Sequence, residues 1–322
     1  MIKFALIGTG YRSEFYIRVA LNNKDKLNLV GVLARNNEKI NYLTNKYNIY
    51  TTLNENDLFN LKPDFIVVCV DKAHILDTSI YYASLGYPIL METPAALNLL
   101  DITKFKDAIN KEYKIQVAEQ YIRYPYISKL IELVNSNIIG DINSLELTYA
   151  HEYHAISIAR SILKSKVISL IGKTYINNIT RTNDRYNTYT DGLLTQNKET
   201  HIAIEYENNK QLFYNFSSSC YRSPIRNKYV HIKGTRGEII NDTIYYLDSK
   251  NIINIKKIDY LKVDNNDEFV LKDILLSMND YINNNIEVYP NEFAIEDSYI
   301  AYLMRLVDTN SNVLIKVDDI ND

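Results

Sequence analysis

The first 120 residues alternate between short apolar runs and longer stretches whose apolar residues recur every three to four positions. The apolar runs lie at 2–7, 28–33, 65–70, 88–91 and 114–118, and the helix-like stretches lie at 14–21, 37–47, 74–85 and 98–111. Strands and helices that alternate along a chain build a parallel sheet with helices on both faces. This part of the sequence therefore predicts an α/β fold with a doubly wound parallel sheet.

The pattern changes after about residue 120. Helical periodicity predicts helices at 126–137, 154–163, 270–284 and 291–307, and apolar alternation predicts strands at 144–150, 174–181, 199–206, 210–218, 228–232, 237–240 and 243–247. The Asn- and Thr-rich stretch 177–198 predicts a loop. We therefore predict two directly packed domains: residues 1–120, which carry the parallel sheet, and residues 121–322, an α+β domain with an open, mostly antiparallel sheet.

Charge and hydropathy exclude several classes of partner. The 322 residues include 36 Lys and Arg and 39 Asp and Glu, which gives a formal net charge of −3. A chain with this charge has no electrostatic attraction for nucleic acid or for an anionic membrane. The longest apolar run, at 65–70, is far shorter than the ~20 residues that span a bilayer. We expect neither nucleic acid nor a membrane as a partner.

Cysteine usage bears on the compartment. Cys69 and Cys220 are the two cysteines and lie far apart, so they predict neither a disulfide framework nor a metal site. The first ten residues lack the long apolar core and the small-residue cleavage site of a signal peptide. Both observations favour a reducing, cytoplasmic location.

A glycine-rich turn joins the first predicted strand to the first predicted helix. It reads Gly8-Thr9-Gly10-Tyr11-Arg12-Ser13, a variant of the G-x-G-x-x-G dinucleotide fingerprint. Gly8 would permit the tight turn, Gly10 would let the backbone approach a pyrophosphate, and Ser13 is small enough for close helix–strand packing. The pyrophosphate would bind the amides at the helix N-terminus. The alternative interpretation is a plain turn in a protein that binds no nucleotide.

The end of the second predicted strand bears on the choice between NAD and NADP. NAD-binding proteins usually carry an acidic residue there, which accepts a hydrogen bond from the ribose 2′-hydroxyl. This chain has Ala34 followed by Arg35. Without the carboxylate nothing repels a 2′-phosphate, and a guanidinium can pair with it. We predict NADP in preference to NAD; the alternative is that Arg35 is only a surface residue.

Several segments, in the same order, resemble those of the Gfo/Idh/MocA oxidoreductase family. They are the glycine turn, residues 64–86, Met91-Glu92-Thr93-Pro94-Ala95-Ala96 at the place of the family's E-K-P motif, the junction at 136–142, the helix at 154–163 and the strand-turn-strand at 229–239. The resemblance implies a Rossmann domain and an open-faced α/β domain, with NAD(P) and substrate in the cleft between them. It also implies a homodimer or homotetramer formed through the open sheet.

The resemblance further implies where cofactor and substrate bind. The loop with Asp71 and His74 commonly contacts the cofactor in the family; the alternative for His74 is that it only starts a helix. The turn at Glu92, Thr93 and Pro94 shapes the nicotinamide site. Gln120, Tyr121 and Arg123 lie where the family contacts nicotinamide or substrate. Two further arginines, Arg222 and Arg226, are candidates for binding a carboxylate or phosphate of the substrate, or form a solvated edge or a dimer contact.

The expected catalytic residues are mostly replaced. Where the family has a Lys and an Asp, this chain has Thr93 and Ala150, and Ser157 replaces a further Asp. The family's His is retained as His154, a candidate acid or base. Nearby, Tyr153 is a candidate donor to a carbonyl oxygen and His151 a second candidate acid or base; each is equally compatible with packing or surface exposure. Two histidines without further ligands predict no metal site.

These features favour an NAD(P)-dependent oxidoreductase that acts on a small polar substrate, sugar- or cyclitol-like, with hydride transfer and His154 as acid or base. The missing Lys favours reduction of a ketone or imine. One alternative is a redox-neutral enzyme that holds NAD tightly and catalyses elimination or glycoside cleavage. The other is a nucleotide-binding sensor without turnover.

Overall fold

The structure, a computed structural model, describes residues 1–184, 186–219 and 223–317. The chain divides into two compact units. The first unit contains residues 1–124 and 263–299, and the second contains residues 125–262 and the chain from Ile300 onwards.

The first unit contains a six-stranded sheet with the order β3-β2-β1-β4-β5-β6. The strands are β1 (Ile2–Ile7), β2 (Leu27–Leu33), β3 (Thr51–Thr52), β4 (Phe65–Val68), β5 (Ile89–Met91) and β6 (Ile115–Val117), and every pairing between them is parallel. The helices between them are α1 (Ser13–Asn22), α2 (Asn37–Tyr47), α3 (Glu55–Asn60), α4 (Ile75–Ser84) and α5 (Leu99–Asn110). The predicted doubly wound sheet is confirmed.

Local sequence explains where these elements begin. All four side chains of β4 are buried, as expected for the central strand of a parallel sheet. Asn36 and Asn98 cap α2 and α5, since each side chain accepts a hydrogen bond from a backbone N–H of the first helical turn. The short elements β3 and α3 were not predicted because two and six residues are too few to show a period.

The second unit contains a nine-stranded sheet with the order β14-β13-β12-β11-β7-β10-β9-β8-β15. Its elements before residue 262 are α6 (Pro125–Asn135), β7 (Ile142–Leu147), α7 (Glu152–Leu163), β8 (Val167–Thr180), β9 (Leu194–Tyr206), β10 (Lys210–Ser217), β11 (Val230–Gly234), β12 (Gly237–Ile240), β13 (Thr243–Leu247) and β14 (Ile253–Lys257). β7 pairs with β10 in parallel and the other pairings are antiparallel. The predicted mostly antiparallel sheet is confirmed.

The predicted loop at 177–198 is wrong at both ends. β8 and β9 pair continuously from Tyr206 to Leu194, so 177–180 and 194–198 are strand and the connection is 181–193. Composition was misleading because Asn and Thr are typical of turns, whereas cross-strand hydrogen bonds hold them here in extended conformation.

The last elements are α8 (Asn266–Asn284), α9 (Asn291–Leu306) and β15 (Ile315–Lys316). α8 belongs to the first unit, where Leu271, Ile274, Leu275 and Met278 are buried in one core with residues of the parallel sheet such as Phe4. A boundary at residue 120 therefore leaves out a segment that helps to build the first unit. The assignment of cofactor and substrate roles to 1–120 and 121–322 stays a prediction.

No helix in the described ranges has the length and apolar character needed to cross a membrane.

The burial of α8 predicts the cost of truncating it. Ile274 is fully buried, so Ile274→Ala should lower the free energy of unfolding by about 2–5 kcal/mol through lost contacts and a residual cavity. Asn279→Ala, on the exposed side of the same helix, should change it by less than about 0.5 kcal/mol. Urea unfolding of both variants measures this. Equal stabilities would show that α8 is not part of the core.

Candidate functional site

The predicted cofactor residues lie at one edge of the parallel sheet. Each follows the carboxyl end of a strand: the glycine turn after β1, Ala34 after β2, Asp71 after β4, Glu92 after β5 and Gln120 after β6. The carboxyl ends of parallel strands share one edge. β1 and β4 are neighbours at the centre of the sheet, and the strand order reverses there. In open α/β sheets, ligands bind at this switch point.

Gly8 is required by the geometry of the turn. Its φ is +121°, which L side chains rarely adopt, and a Cβ built on it would lie 2.1 Å from the carbonyl oxygen of Cys69. The Ser13 side chain is fully buried, and its hydroxyl donates to the same carbonyl at 3.4 Å. The turn thus brings β1, β4 and α1 together more closely than larger residues would allow.

Gly10 has the opposite environment. A Cβ built there meets nothing within 4 Å, so the backbone beside it is open. Of its neighbours, Thr9 is buried, and Tyr11 packs edge-on against Phe15 with the ring centroids 5.2 Å apart. The open side at Gly10 leaves space for a ligand against the backbone of the turn.

Arg12 points into the unit and binds two carboxylates. Its Nε donates to Glu92 Oε1 at 2.7 Å, and its Nη1 lies 2.9 Å from Asp267 Oδ1 at the start of α8. Burial alone would lower the pKa of Arg12, but the charges of Glu92 and Asp267 raise it well above its usual value. The buried hydroxyl of Tyr16 donates to Glu92 at 2.7 Å, and burial together with the Glu92 charge raises its pKa. Arg12 is therefore a permanent cation between α1, the turn after β5, and α8.

The turn after β5 is held by a hydrogen bond between two of its own residues. The backbone N–H of Thr93 donates to Glu92 Oε2 at 3.2 Å, and the peptide bond between Thr93 and Pro94 is cis. Pro94 is buried and Thr93 is half-buried. Burial, and next the Glu92 charge, raise the pKa of Cys69 to about 12, so this thiol stays protonated and unreactive at neutral pH.

The positions that bear on cofactor choice lie at the end of β2. Ala34 is buried and donates its backbone N–H to Thr52 O at 2.9 Å. Arg35 is exposed, and its side chain makes no hydrogen bond or ion pair with any residue that the structure describes. After β4, Asp71 and His74 are also exposed, with their side chains 3.9 Å apart.

Two of the predicted substrate residues are engaged inside the first unit. Tyr121 is buried, and its backbone N–H donates to Glu119 Oε1 at 3.0 Å. The guanidinium of Arg123 donates to the Val288 carbonyl at 2.6 Å, and burial lowers its pKa. Gln120 is buried; with its amide oxygen turned towards Arg12 it accepts from Nη2 at 3.3 Å and its nitrogen donates to Ala118 O at 2.7 Å. Their roles towards a ligand stay predictions.

The predicted catalytic residues lie at the start of α7 in the second unit. His151 is the exposed residue that precedes the helix, with its ring 4.3 Å from that of Phe216. Tyr153 is buried and packs edge-on against the half-buried His154, with the ring centroids 5.6 Å apart. Ala150 is fully buried. His154 and Tyr153 therefore share the first turn of one helix.

The remaining predictions concern surface residues and metals. Arg226 is exposed, whereas Arg222 lies outside the described residues. Within the ranges that the structure describes, no three His, Cys, Asp or Glu side chains are grouped as a metal site would require.

A family match covers residues 2–121, which lie in the first unit. They match the Gfo/Idh/MocA family, described as an oxidoreductase family with an NAD-binding Rossmann fold. This segment of the chain therefore carries the NAD-binding Rossmann domain of that family.

Relatives extend the likeness beyond this segment. Oxidoreductase P35 of Formosa agariphila is 25% identical over 183 residues, which are 55% of this chain and 52% of that protein; the match thus spans about half of the curated relative. An Agrobacterium radiobacter oxidoreductase in complex with NAD+, L-tartaric acid and magnesium has a TM-score of 0.74 at 14% identity, covering 99% of this chain and 98% of the other. A myo-inositol dehydrogenase of Corynebacterium glutamicum has a TM-score of 0.72 at 13% identity, with 99% of both chains covered. At these identities the two structures show the shared fold.

Sequence reasoning missed two members of the Arg12 cluster, Asp267 and Tyr16. Asp267 is 255 positions from Arg12, and Tyr16 is 76 positions from Glu92. The family's fingerprint carries no information about such partners. The one available signal was a charged residue between Gly10 and a buried Ser13, because a cation packed there requires carboxylates around it.

The contrast between the two glycines of the turn can be measured. Gly8→Ala should lower the free energy of unfolding by at least about 2 kcal/mol, since the new methyl group meets the Cys69 carbonyl at a positive φ. Gly10→Ala should cost less than about 1 kcal/mol because its Cβ meets open space. Thermal unfolding compares the two. Equal losses would contradict the described packing of the turn.

Proposed function

We propose that this protein is an NAD(P)-dependent oxidoreductase that acts on a small polar substrate, sugar- or cyclitol-like. The observation that carries the proposal is the glycine turn: Gly8 and Ser13 make it tight, and the backbone at Gly10 stays open. It lies in the segment that matches an NAD-binding oxidoreductase family. The fold shared with an NAD+ complex and with an inositol dehydrogenase supports the same class.

The residues present fit a dinucleotide. The amides at the start of α1 and the open backbone at Gly10 would hold the pyrophosphate. The exposed residues Asp71 and His74 and the turn at Thr93 would line the rest of its site. A bound nicotinamide supplies the group that gives or takes a hydride.

The preferred cofactor in this proposal is NADP. Ala34 offers no carboxylate to bind the 2′-hydroxyl of NAD or to repel a 2′-phosphate. Arg35 is exposed, and its guanidinium is not engaged with the described residues. A free guanidinium at the end of β2 matches the geometry and charge of a phosphate.

His154 is the proposed acid or base. An imidazole exchanges protons near neutral pH, whereas Thr93 and the buried Ala150 carry no charge. A protonated imidazole can give its proton to a carbonyl oxygen or imine nitrogen as that atom becomes negative. This task needs no second base, so the proposal favours reduction over oxidation of an alcohol. Tyr153 packs against the imidazole and would restrict its orientation.

The proposal includes a cytoplasmic homodimer or homotetramer. The sheet of the second unit exposes apolar side chains on one face, among them Ile171 of β8 and Phe213 of β10, which both lie opposite Ala203 of β9. Burial of such a face against a second copy would remove it from water. The two widely separated cysteines fit a reducing compartment.

Titration with NADPH and NADH tests the cofactor assignment. NADPH should bind at least about tenfold more tightly than NADH, and Ala34→Asp should reverse this order by repelling the 2′-phosphate. Nicotinamide fluorescence reports both, and the absence of tryptophan keeps the protein background low. Denaturation of the purified protein should first release any cofactor that copurifies. A folded, empty protein that binds neither nucleotide would refute the proposed function.

Replacement of His154 tests the catalytic assignment. With a substrate found by screening ketones of the sugar and cyclitol classes, His154→Ala should lower kcat by about 10²–10⁴-fold while the Kd for NADPH is unchanged. His151→Ala tests the second candidate acid or base; its ring packs on Phe216 at the exposed start of the same helix, and we expect this change to lower kcat less than His154→Ala does. Turnover that survives in His154→Ala would remove this residue from the mechanism.

A further inference from the structure

One cation in the glycine turn is shared by two acids. The Arg12 side chain is 21% exposed, that of Glu92 is 9% exposed and that of Asp267 is 24% exposed. Arg12 lies between Gly10 and Ser13 and directly precedes the first residue of α1. Two carboxylates are thus held beside the turn and are balanced by one guanidinium.

Both acids are held in place by further donors. Glu92 accepts from the Tyr16 hydroxyl and from the Thr93 backbone, and Asp267 accepts from the Tyr124 hydroxyl at 2.5 Å. Neither carboxylate can rotate away from the glycine turn without losing these hydrogen bonds.

This arrangement creates an electrostatic problem for the proposed ligand. A dinucleotide brings two negative charges of its pyrophosphate to the amides at the start of α1. Glu92 and Asp267 are already close to this helix end, and like charges in a partly buried site repel strongly. Some cation must offset them if the turn is to accept an anion.

We propose that Arg12 is a positioning residue for the cofactor, whose guanidinium offsets Glu92 and Asp267 so that the glycine turn accepts an anionic dinucleotide. This inference rests on the proposed function. It also predicts that Arg12 places the turn after β5, because Glu92, which Arg12 holds, accepts from the backbone of Thr93.

A second arginine, Arg18, separates this role from simple stabilisation. It lies within α1 and donates to Glu268 at 2.7 Å, so it also joins α1 to the first turn of α8. It lies six residues, about 1.7 helical turns, beyond Arg12 and away from the glycines. Arg18→Met therefore removes a comparable link between the same helices and leaves the turn intact.

The experiment compares Arg12→Met, Arg18→Met and the double variant Arg12→Met/Asp267→Asn. Arg12→Met should raise the Kd for NADPH by about 10–100-fold at pH 8, whereas Arg18→Met should change it by less than about threefold. The double variant should recover most of the affinity, because one of the two offending charges is removed. Thermal unfolding of all three reports stability separately.

Rescue by removal of a charge gives a readout that a structural role would not move. If Arg12 acted only as a link between α1, the turn after β5 and α8, the further loss of the Asp267 charge could not restore binding. Recovery of affinity in the double variant therefore reports the electrostatic role of Arg12.

Each outcome decides the matter. A loss of affinity in Arg12→Met that Asp267→Asn rescues supports the proposal. Equal affinities for wild type and Arg12→Met, or a loss that Arg18→Met reproduces, overturn it. If Arg12→Met does not fold, Arg12→Lys, which keeps the charge, should retain affinity within about tenfold, and Arg12→Gln should not. A wild type that binds no nucleotide would instead refute the proposed function.

Discussion

The close approach of β1 and β4 is the constraint on which the first unit depends. The chain leaves β1 beside the carbonyl of Cys69, with no room for a Cβ on Gly8. This contact allows Ser13 to be buried at the start of α1 and directs the helix N-terminus to the carboxyl edge of the sheet. Every residue proposed to hold the cofactor lies in the glycine turn at that helix end or follows the carboxyl end of another strand of the same sheet.

Much of the fold was predictable because local patterns agree with it. The run at 65–70 has the β-branched composition of a buried parallel strand, and α2 begins at Asn37 and ends at Tyr47 as its periodicity predicts. The arm formed by β8 and β9 was less predictable, because its Asn and Thr residues are held by pairing across strands and not by local preference. Packing of α8 on the parallel sheet depends on contacts between residues more than 200 positions apart, which a single sequence does not encode visibly.

The candidate site, too, was predictable only in part. Gly8, Gly10 and Ser13 form a motif of fixed spacing, so their place at a strand end was predictable. The cluster around Arg12 was not, since Glu92, Tyr16 and Asp267 come from separate parts of the chain. Arg123 is predicted to contact a ligand, and its guanidinium also donates to the Val288 carbonyl. A charged residue near a motif is thus ambiguous until its partners are known.

The contribution of α8 has a consequence for the order in which the protein folds. The first unit is built from two stretches of chain, 1–124 and 263–299, and residues 125–262 of the second unit lie between them in the sequence. During synthesis from the N-terminus, the parallel sheet emerges well before the helix that covers α1 and Leu27. The apolar surface that Leu271 and Leu275 later cover stays exposed while some 140 further residues are synthesised. Protection of that surface by chaperones would matter most in this interval.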